Sequence, residues 1–387
     1  MATVTLDQMR DRLLTLEQVE GMLSETEPLA SQVIEDTTSV HFTLDDDWNR
    51  DLDEIRGTEA VSATMDIDGT ERPLSKDALL MAAAKVGLSG AYMAKTPGSL
   101  IQPHLNYWYS EANREKDVMA LSVGDVVSAF TRPTLIPFSN VSLLEAVVGS
   151  IRKQYGSDTE ILADYKIHNS LEHTDIRLII PDRLHSITGG GLSDVPSGES
   201  DIWSAGVHLY NSLVGKGQTT VESYLFRWWC TNGATTTLTD VGTWSRRSNG
   251  QNDAEVYLWA QEAVDEVLGG MEGQFASVQA LTGLGVAGNV ADILREIFAD
   301  YNVPVSQRSQ ITDALLESET LSMYSIMNAI TQTANSVVDN PRRADRLMRV
   351  GGAIPTKTFD TLKARVWAEG HQAEPSAANP YVITALN

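Results

Sequence analysis

Apolar positions recur at two periods along this chain, and the change from one to the other divides it. Near the start Leu6, Met9, Leu13, Leu16, Val19 and Leu23 recur at helical spacing, which predicts one amphipathic helix over the first 25 residues. Every second position is then apolar in Val40-Phe42-Leu44 and in Val61-Ala63-Met65-Ile67, the pattern of strands with one buried face. Asp68-Gly69 after the second run is a hairpin-turn signal. Ser75 opens a helix that runs through Ala84, with Gly87 placed to end it. Two more strand-like runs lie between Val118 and Phe138, and Leu143–Tyr155 is helical by periodicity. Glu160–Ile167 and His173–Ile180 read as a strand pair, and Ile202–Leu213 and Thr219–Cys230 as further strands. A Gly/Ser/Pro-rich loop runs from Ile187 to Ser200.

Beyond Asn252 the period becomes helical, in Asp253–Leu268, Val290–Phe298, Ile311–Leu316, Leu321–Val338 and Ala344–Val350. The expected fold is therefore α+β: a mainly antiparallel sheet body over residues 1–250 that begins with a helix, a helical region over 251–370, and a tail over 371–387. Antiparallel pairing follows from the short turns between the strand-like runs, because parallel pairing needs long crossovers.

Composition agrees with a folded globular chain: 387 residues, 42% hydrophobic and 21% charged. No run approaches the roughly 20 apolar residues that span a bilayer, so no membrane partner is expected. The first residues lack a basic segment followed by an apolar one, which argues against a secretory signal and for a cytoplasmic location in a bacterial host. The one cysteine, Cys230, excludes an intrachain disulfide and a cysteine metal cage. A buried structural thiol is its expected role, since Arg227 is the only nearby group that would lower its pKa. The net charge of −23 disfavours non-specific adhesion to nucleic acid, so any such site must be a local basic cluster.

Two such clusters stand out. Arg246-Arg247 follows Trp244 in a polar, turn-rich stretch, and Arg342, Arg343, Arg346 and Arg349 lie in the last helix. Arg342, Arg346 and Arg349 share one helical face that suits a row of phosphates, or equally suits pairing with acidic groups of the same chain. Tyr224, Phe226 and Trp228 alternate along one side of a strand, where they serve either as a core or as stacking surfaces for bases.

Short motifs for cofactors fail on their surroundings. Gly283-Leu284-Gly285-Val286-Ala287-Gly288 fits G-x-G-x-x-G, but the half-polar, helix-like segment before it makes the expectation a glycine-rich link between two helices, with no nucleotide bound. Gly215-Lys216-Gly217 lacks the earlier glycine and the Ser/Thr of a P-loop. Asp45, Asp47 and Asn49 begin a calcium-loop pattern that Arg50 and Arg56 break, leaving a solvated acidic surface. Among the seven histidines no metal spacing appears, though His168 and His173 sit where a strand link would bring them together. No cofactor and no metal is expected from spacing alone.

One segment carries a resemblance. Gly206-Val207-His208-Leu209-Tyr210-Asn211-Ser212 leads through Gly215 and Gly217 to Arg227-Trp228-Trp229-Cys230-Thr231-Asn232-Gly233, and Asn328-Ala329-Ile330-Thr331 lies in a later helix. This is similar to the phage- and plasmid-encoded domain-of-unknown-function family 932, with its Asn-Ser turn, its Arg-x-x-Cys-x-Asn element and its Asn-Ala-x-Thr helix. Trp228-Trp229 departs from the smaller apolar pair of that family, and the first hundred residues match none of its motifs. The resemblance implies a mobile-element protein, encoded near recombination and replication functions, with no established catalytic residue. The expected role is thus non-enzymatic DNA metabolism, with single-stranded DNA bound or annealed by a homo-oligomer. Two rivals come from other classes: a structural protein that binds a host protein through its acidic surface, and a hydrolase or nuclease whose carboxylates are scattered along the chain. Asn232-Gly233 is expected to form a sharp turn.

Overall fold

The computed structural model describes residues 8, 10–28, 30–34, 40–49, 57–67, 69–111, 117–164, 167–189, 195, 200–228, 232–236, 243–246, 253–288, 290–318, 321–337, 341–355 and 381–385. The first part of the chain gives β1 (Leu14–Thr15), α1 (Leu16–Ser24), β2 (Ala30–Ile34), β3 (Val40–Leu44), β4 (Ala60–Ile67), β5 (Thr70–Ser75), α2 (Lys76–Lys85), α3 (Gly90–Met93), α4 (Gly98–Glu111), β6 (Val118–Val123) and β7 (Val126–Thr131). The middle gives α5 (Asn140–Tyr155), β8 (Leu162–Ala163), β9 (His168–Asn169), β10 (Thr174–Ile187), β11 (Asp201–Asn211), β12 (Thr219–Arg227), β13 (Asn232–Thr236) and β14 (Thr243–Arg246). The remainder gives α6 (Asp253–Gly269), α7 (Met271–Thr282), β15 (Leu284–Gly288), α8 (Val290–Asp300), α9 (Val305–Leu316), α10 (Met323–Ser336), α11 (Pro341–Ala353) and β16 (Tyr381–Ala385).

Strands dominate the first two thirds and helices the last, so the fold is α+β as the periodicity implies. One sheet has six strands in the order β2-β6-β7-β5-β4-β3, antiparallel except for β5 beside β7. Its core forms because Val61, Ala63, Met65 and Ile67 all turn to one side of β4. The turn into β5 uses Gly69 at φ 81, a backbone angle open to glycine and costly for other residues. Ser75 caps α2 by accepting from the Ala78 amide, and the helix ends at Val86 with Gly87 directly after it. The edge strand β3 is covered by α4: Asn106 accepts from the Phe42 amide and donates to its carbonyl, while Gln102 accepts from the Leu44 amide. Side-chain amides thus satisfy a strand edge that would otherwise invite another chain.

The second sheet follows the path β1-β8-β10-β11-β12-β13, with β9 on β10 and β14 on β12. Its long strands pair antiparallel, and β10 breaks register between Ile179 and Leu184, around Pro181, which has no amide hydrogen for the ladder. One face of β10–β12, carrying Ile176, Leu178, Val207, Leu209, Val221 and Leu225, shares a continuous apolar cluster with α5, α6, α7, α8, α10 and α11. The composition change near residue 250 is therefore no division of the core: the helices beyond it complete the core of this sheet. A separate cluster is drawn from residues 34–135 with Leu171, Leu213 and Val214.

Three expectations need correction. The expected single helix is interrupted: Gln8 and Arg10 are helical, Leu14-Thr15 pair with β8, and helix begins again at Leu16, where Thr15 forms a capping box with Gln18. The glycine run does link two helices, α7 and α8, but as a strand: Leu284–Gly288 is β15. Within the stretch expected to be a tail, the described residues Tyr381–Ala385 form a strand that pairs antiparallel with β15 across nearly a hundred residues.

Candidate functional site

The face of the larger sheet opposite its apolar core carries charge. Asp175 and Arg177 alternate on β10, His208 lies on β11 directly across from Arg177, and Glu222 on β12 lies directly across from His208. From above, α11 adds Asp345 and Arg349, one turn apart. His208 sits at the centre. Asp175 Oδ1 is 3.0 Å from its Nε2, while Glu222 Oε2 and Asp345 Oδ1 lie 3.4 and 3.9 Å from its Nδ1. The outer oxygens meet guanidiniums: Arg177 Nη2 is 3.1 Å from Asp175 Oδ2, and Arg349 donates to Glu222 Oε1 and, at 2.9 Å, to Asp345 Oδ2. Arg177 also approaches Asp164, and His173 Nε2 stands 3.9 Å from Asp175 Oδ2.

This cluster is almost dry. His208, Glu222 and Asp175 are each at most 2% exposed, and Arg349, at 31% for its side chain, is the member that reaches water appreciably. Burial alone would lower the His208 pKa; Asp175 overrides it by charge and hydrogen bond, with Glu222 and Asp345 adding, and lifts it to about 9. Burial would raise Glu222, but His208 and Arg349 hold it below its ordinary value. Asp175, despite complete burial, is held well below the usual carboxylate range by Arg177 and His208. Tyr224, next along this face, is driven well above its ordinary value by burial and by Asp164. Gly206 is what admits its ring: a Cβ there would stand 2.2 Å from the Leu178 carbonyl oxygen and 3.2 Å from Tyr224 Cδ1.

Both ring nitrogens of His208 face carboxylates, so this is not a histidine that activates a hydroxyl. A metal-like geometry does exist: ligand atoms of Asp175, His208 and Asp345 all lie within 4.8 Å of one another. A row of titratable groups also extends away from it. His173 is 5.1 Å, ring to ring, from His168, which lines an open cleft of about 670 Å³ with Met22, Thr58 and Ser170.

A second buried network closes the other end of β11 and β12. Arg227 Nε reaches both oxygens of Asp201, at 2.9 and 2.7 Å. Tyr324 of α10 donates to Asp201 and accepts from Trp203 Nε1 at 2.9 Å. Here each group meets a partner of opposite character, which is the pattern of a structural tie.

The residues singled out from sequence separate into several places. Tyr224, Phe226 and Trp228 are buried together with Leu13, Leu162 and Ile179, so they are core and offer no stacking surface. Asn211 donates to the Phe138 carbonyl and Asn140 and accepts from Thr219, while Ser212 accepts from the Lys216 amide and shapes the following turn. Asn328 and Thr331 bond back to carbonyls of their own helix. These four act in the scaffold. Asn232-Gly233 opens β13, paired with Phe226 and Arg227, instead of making the expected turn. Cys230, Trp229 and Arg247 lie outside the described residues.

Of the basic candidates, Arg349 turns inward to the cluster, whereas Arg343 and Arg346 are exposed. Arg346 donates to the Tyr301 carbonyl. Arg342 lies on the first turn of α11, and Trp244 and Arg246 lie on β14. β13 and β14 pair with consecutive stretches of β12, and α11 packs on β13. Among the described residues no helix is long and apolar enough to cross a membrane. Comparison with known families, with curated proteins and with solved structures finds no match to this chain.

Proposed function

We propose that this chain is a non-enzymatic, nucleic-acid-associated protein of a mobile genetic element that binds single-stranded DNA as a homo-oligomer. The observation that carries the reading is that α11, with exposed Arg343 and Arg346, packs on β13, and that β13 and the strand β14 bearing Trp244 and Arg246 pair with consecutive stretches of β12. In a chain of net charge −23, two local basic stretches, on α11 and on β14, favour phosphate binding there over the acidic remainder. The resemblance of Asn211-Ser212 and Arg227 to Gly233 to phage and plasmid proteins supports the mobile-element setting. Arg349 has no part in it, because its guanidinium is committed to Glu222 and Asp345.

The test is anisotropy of a labelled oligonucleotide over a salt series. Replacing Arg246, Arg343 and Arg346 with Ala should reduce the slope of log affinity against log salt by about 0.7 for each phosphate that is no longer neutralised. Light scattering gives the mass of the complex. No retention of single- or double-stranded DNA at low salt and micromolar protein overturns the proposal. A protein-binding role then takes its place, favoured by the apolar groove of about 370 Å³ between α8 and α9, where Leu316 is 72% exposed.

A further inference from the structure

Several polar atoms on the charged face are buried without a hydrogen bond, and three of them, His208 Nδ1, Glu222 Oε2 and Asp345 Oδ1, lie together where the sheet meets α11. They belong to different elements, β11, β12 and α11, and they converge. Each carboxylate has its other oxygen held by the same residue, Arg349, while the opposite ring nitrogen of His208 is held by Asp175 at 3.0 Å. Buried polar atoms left open around one point call for an explanation, and a bound ion would satisfy all three at once.

We propose that His208, Glu222 and Asp345 bind a divalent first-row transition ion, which fastens α11 to the sheet. Metal–nitrogen and metal–oxygen bonds of about 2.1 Å place tetrahedral donors about 3.4 Å apart. The two carboxylate oxygens stand 3.4 and 3.9 Å from Nδ1, each close to that spacing. Asp175 supplies the outer carboxylate that metal-ligating histidines customarily have, fixing the tautomer with the proton on Nε2 and the lone pair on Nδ1. When the ion binds, an Nδ1 proton leaves for solvent and the ion takes its place between the carboxylates. An imidazole nitrogen in the set selects zinc, manganese, iron or cobalt over calcium and magnesium, which prefer all-oxygen shells. Partial exposure of Asp345 and Arg349 gives the ion a route in along one side of α11. Sheet and helix enclose the three donors between them, so the ion's role is to hold the helix. The inference stands apart from the nucleic-acid reading, since its test uses no DNA.

The full chain, stripped with a chelator and dialysed, is titrated with Zn2+ by calorimetry and with Co2+ by its visible absorption, with Ca2+ as the control. One equivalent of Zn2+ or Co2+ should saturate, Zn2+ should displace Co2+, and melting temperature should rise. Arg349→Met, which removes the group that orients both carboxylates, should weaken Zn2+ about 10–100-fold. Glu222→Gln with Asp345→Asn should abolish binding, and Arg343→Ala should leave it unchanged. Should the double variant not fold, X-ray absorption of the Zn2+-loaded wild type decides: one imidazole nitrogen among oxygens is expected, and an all-oxygen shell refutes the site. Absence of saturable Zn2+ or Co2+ binding below millimolar concentration refutes it as well. So does undiminished binding in a cooperatively melting double variant.

Discussion

Arg227→Met is expected to destabilise the larger sheet by about 3–5 kcal/mol, the cost of stranding one partner of a buried ion pair. Methionine retains most of the stem's packing, so little apolar burial is given up. What changes is Asp201, 3% exposed, which is deprived of its guanidinium and keeps Tyr324 as a hydrogen-bond donor. Neither backbone nor register should move, because Arg227 and Trp203 are directly paired across β11 and β12 by the ladder itself. Asp201→Asn alone removes the carboxylate that meets the Arg227 guanidinium at 2.7 and 2.9 Å. The double variant Asp201→Asn with Arg227→Met removes both charges and should cost less than the sum of the singles by at least about 2 kcal/mol. Denaturant unfolding followed in parallel by tryptophan fluorescence and far-ultraviolet circular dichroism measures each value. A destabilisation below about 1 kcal/mol in the single variant, or additivity in the cycle, refutes the argument that this pair is held dry and mutually dependent.

Two further outcomes follow from backbone crowding and from burial of charge. Gly206→Ala places a Cβ 2.2 Å from the Leu178 carbonyl oxygen and should cost about 1–3 kcal/mol, whereas Gly21→Ala on α1, with nothing within 4 Å, should gain about 0.5–1 kcal/mol by chemical denaturation. Asp77, at the start of α2, titrates above its ordinary value because burial disfavours its charge and Glu172 repels it. The folded state then holds its proton to higher pH than the unfolded state, so stability falls as pH rises through that window and the full penalty persists at neutral pH. Asp77→Asn should therefore stabilise at pH 7, with the gain shrinking as pH drops through the raised folded value and absent below the unfolded value of 3.8; a gain that is constant with pH would refute it.

The fold was legible where the chain decides its structure locally. Val61 to Ile67 alternate and bury one face, and Ser75 caps the helix that its position announces. Pairing across long separations was not legible. Nothing near Tyr381 signals Leu284–Gly288 as its neighbour, and Leu14-Thr15 leave the helical pattern only because β8 is there to receive them. The candidate site was hidden by the rule that works elsewhere. Alternating polar residues on a strand ordinarily face water, so Asp175, Arg177, His208 and Glu222 look like a solvated face. They are buried because adjacent strands set opposite charges side by side, and strand register cannot be read from a single strand.

The last helix explains how that face can close. On the sheet Asp175 has Arg177, but Glu222 faces the His208 ring, which Asp175 already holds. Arg349 supplies the missing cation, and one turn earlier Asp345 completes the ring of oxygens around His208. A positively charged helix in a strongly acidic chain thus divides its labour by face. Arg349 turns inward to make burial of the sheet's carboxylates tolerable, and Arg343 and Arg346 lie exposed on the outer side, Arg346 donating to the Tyr301 carbonyl. Because one rigid segment carries both sets, releasing the inner ion pairs should also displace the outer arginines, so Arg349→Met is expected to weaken any phosphate binding that requires the docked helix. Binding that survives this change intact, measured by the same salt-series anisotropy, would show that the two faces act independently.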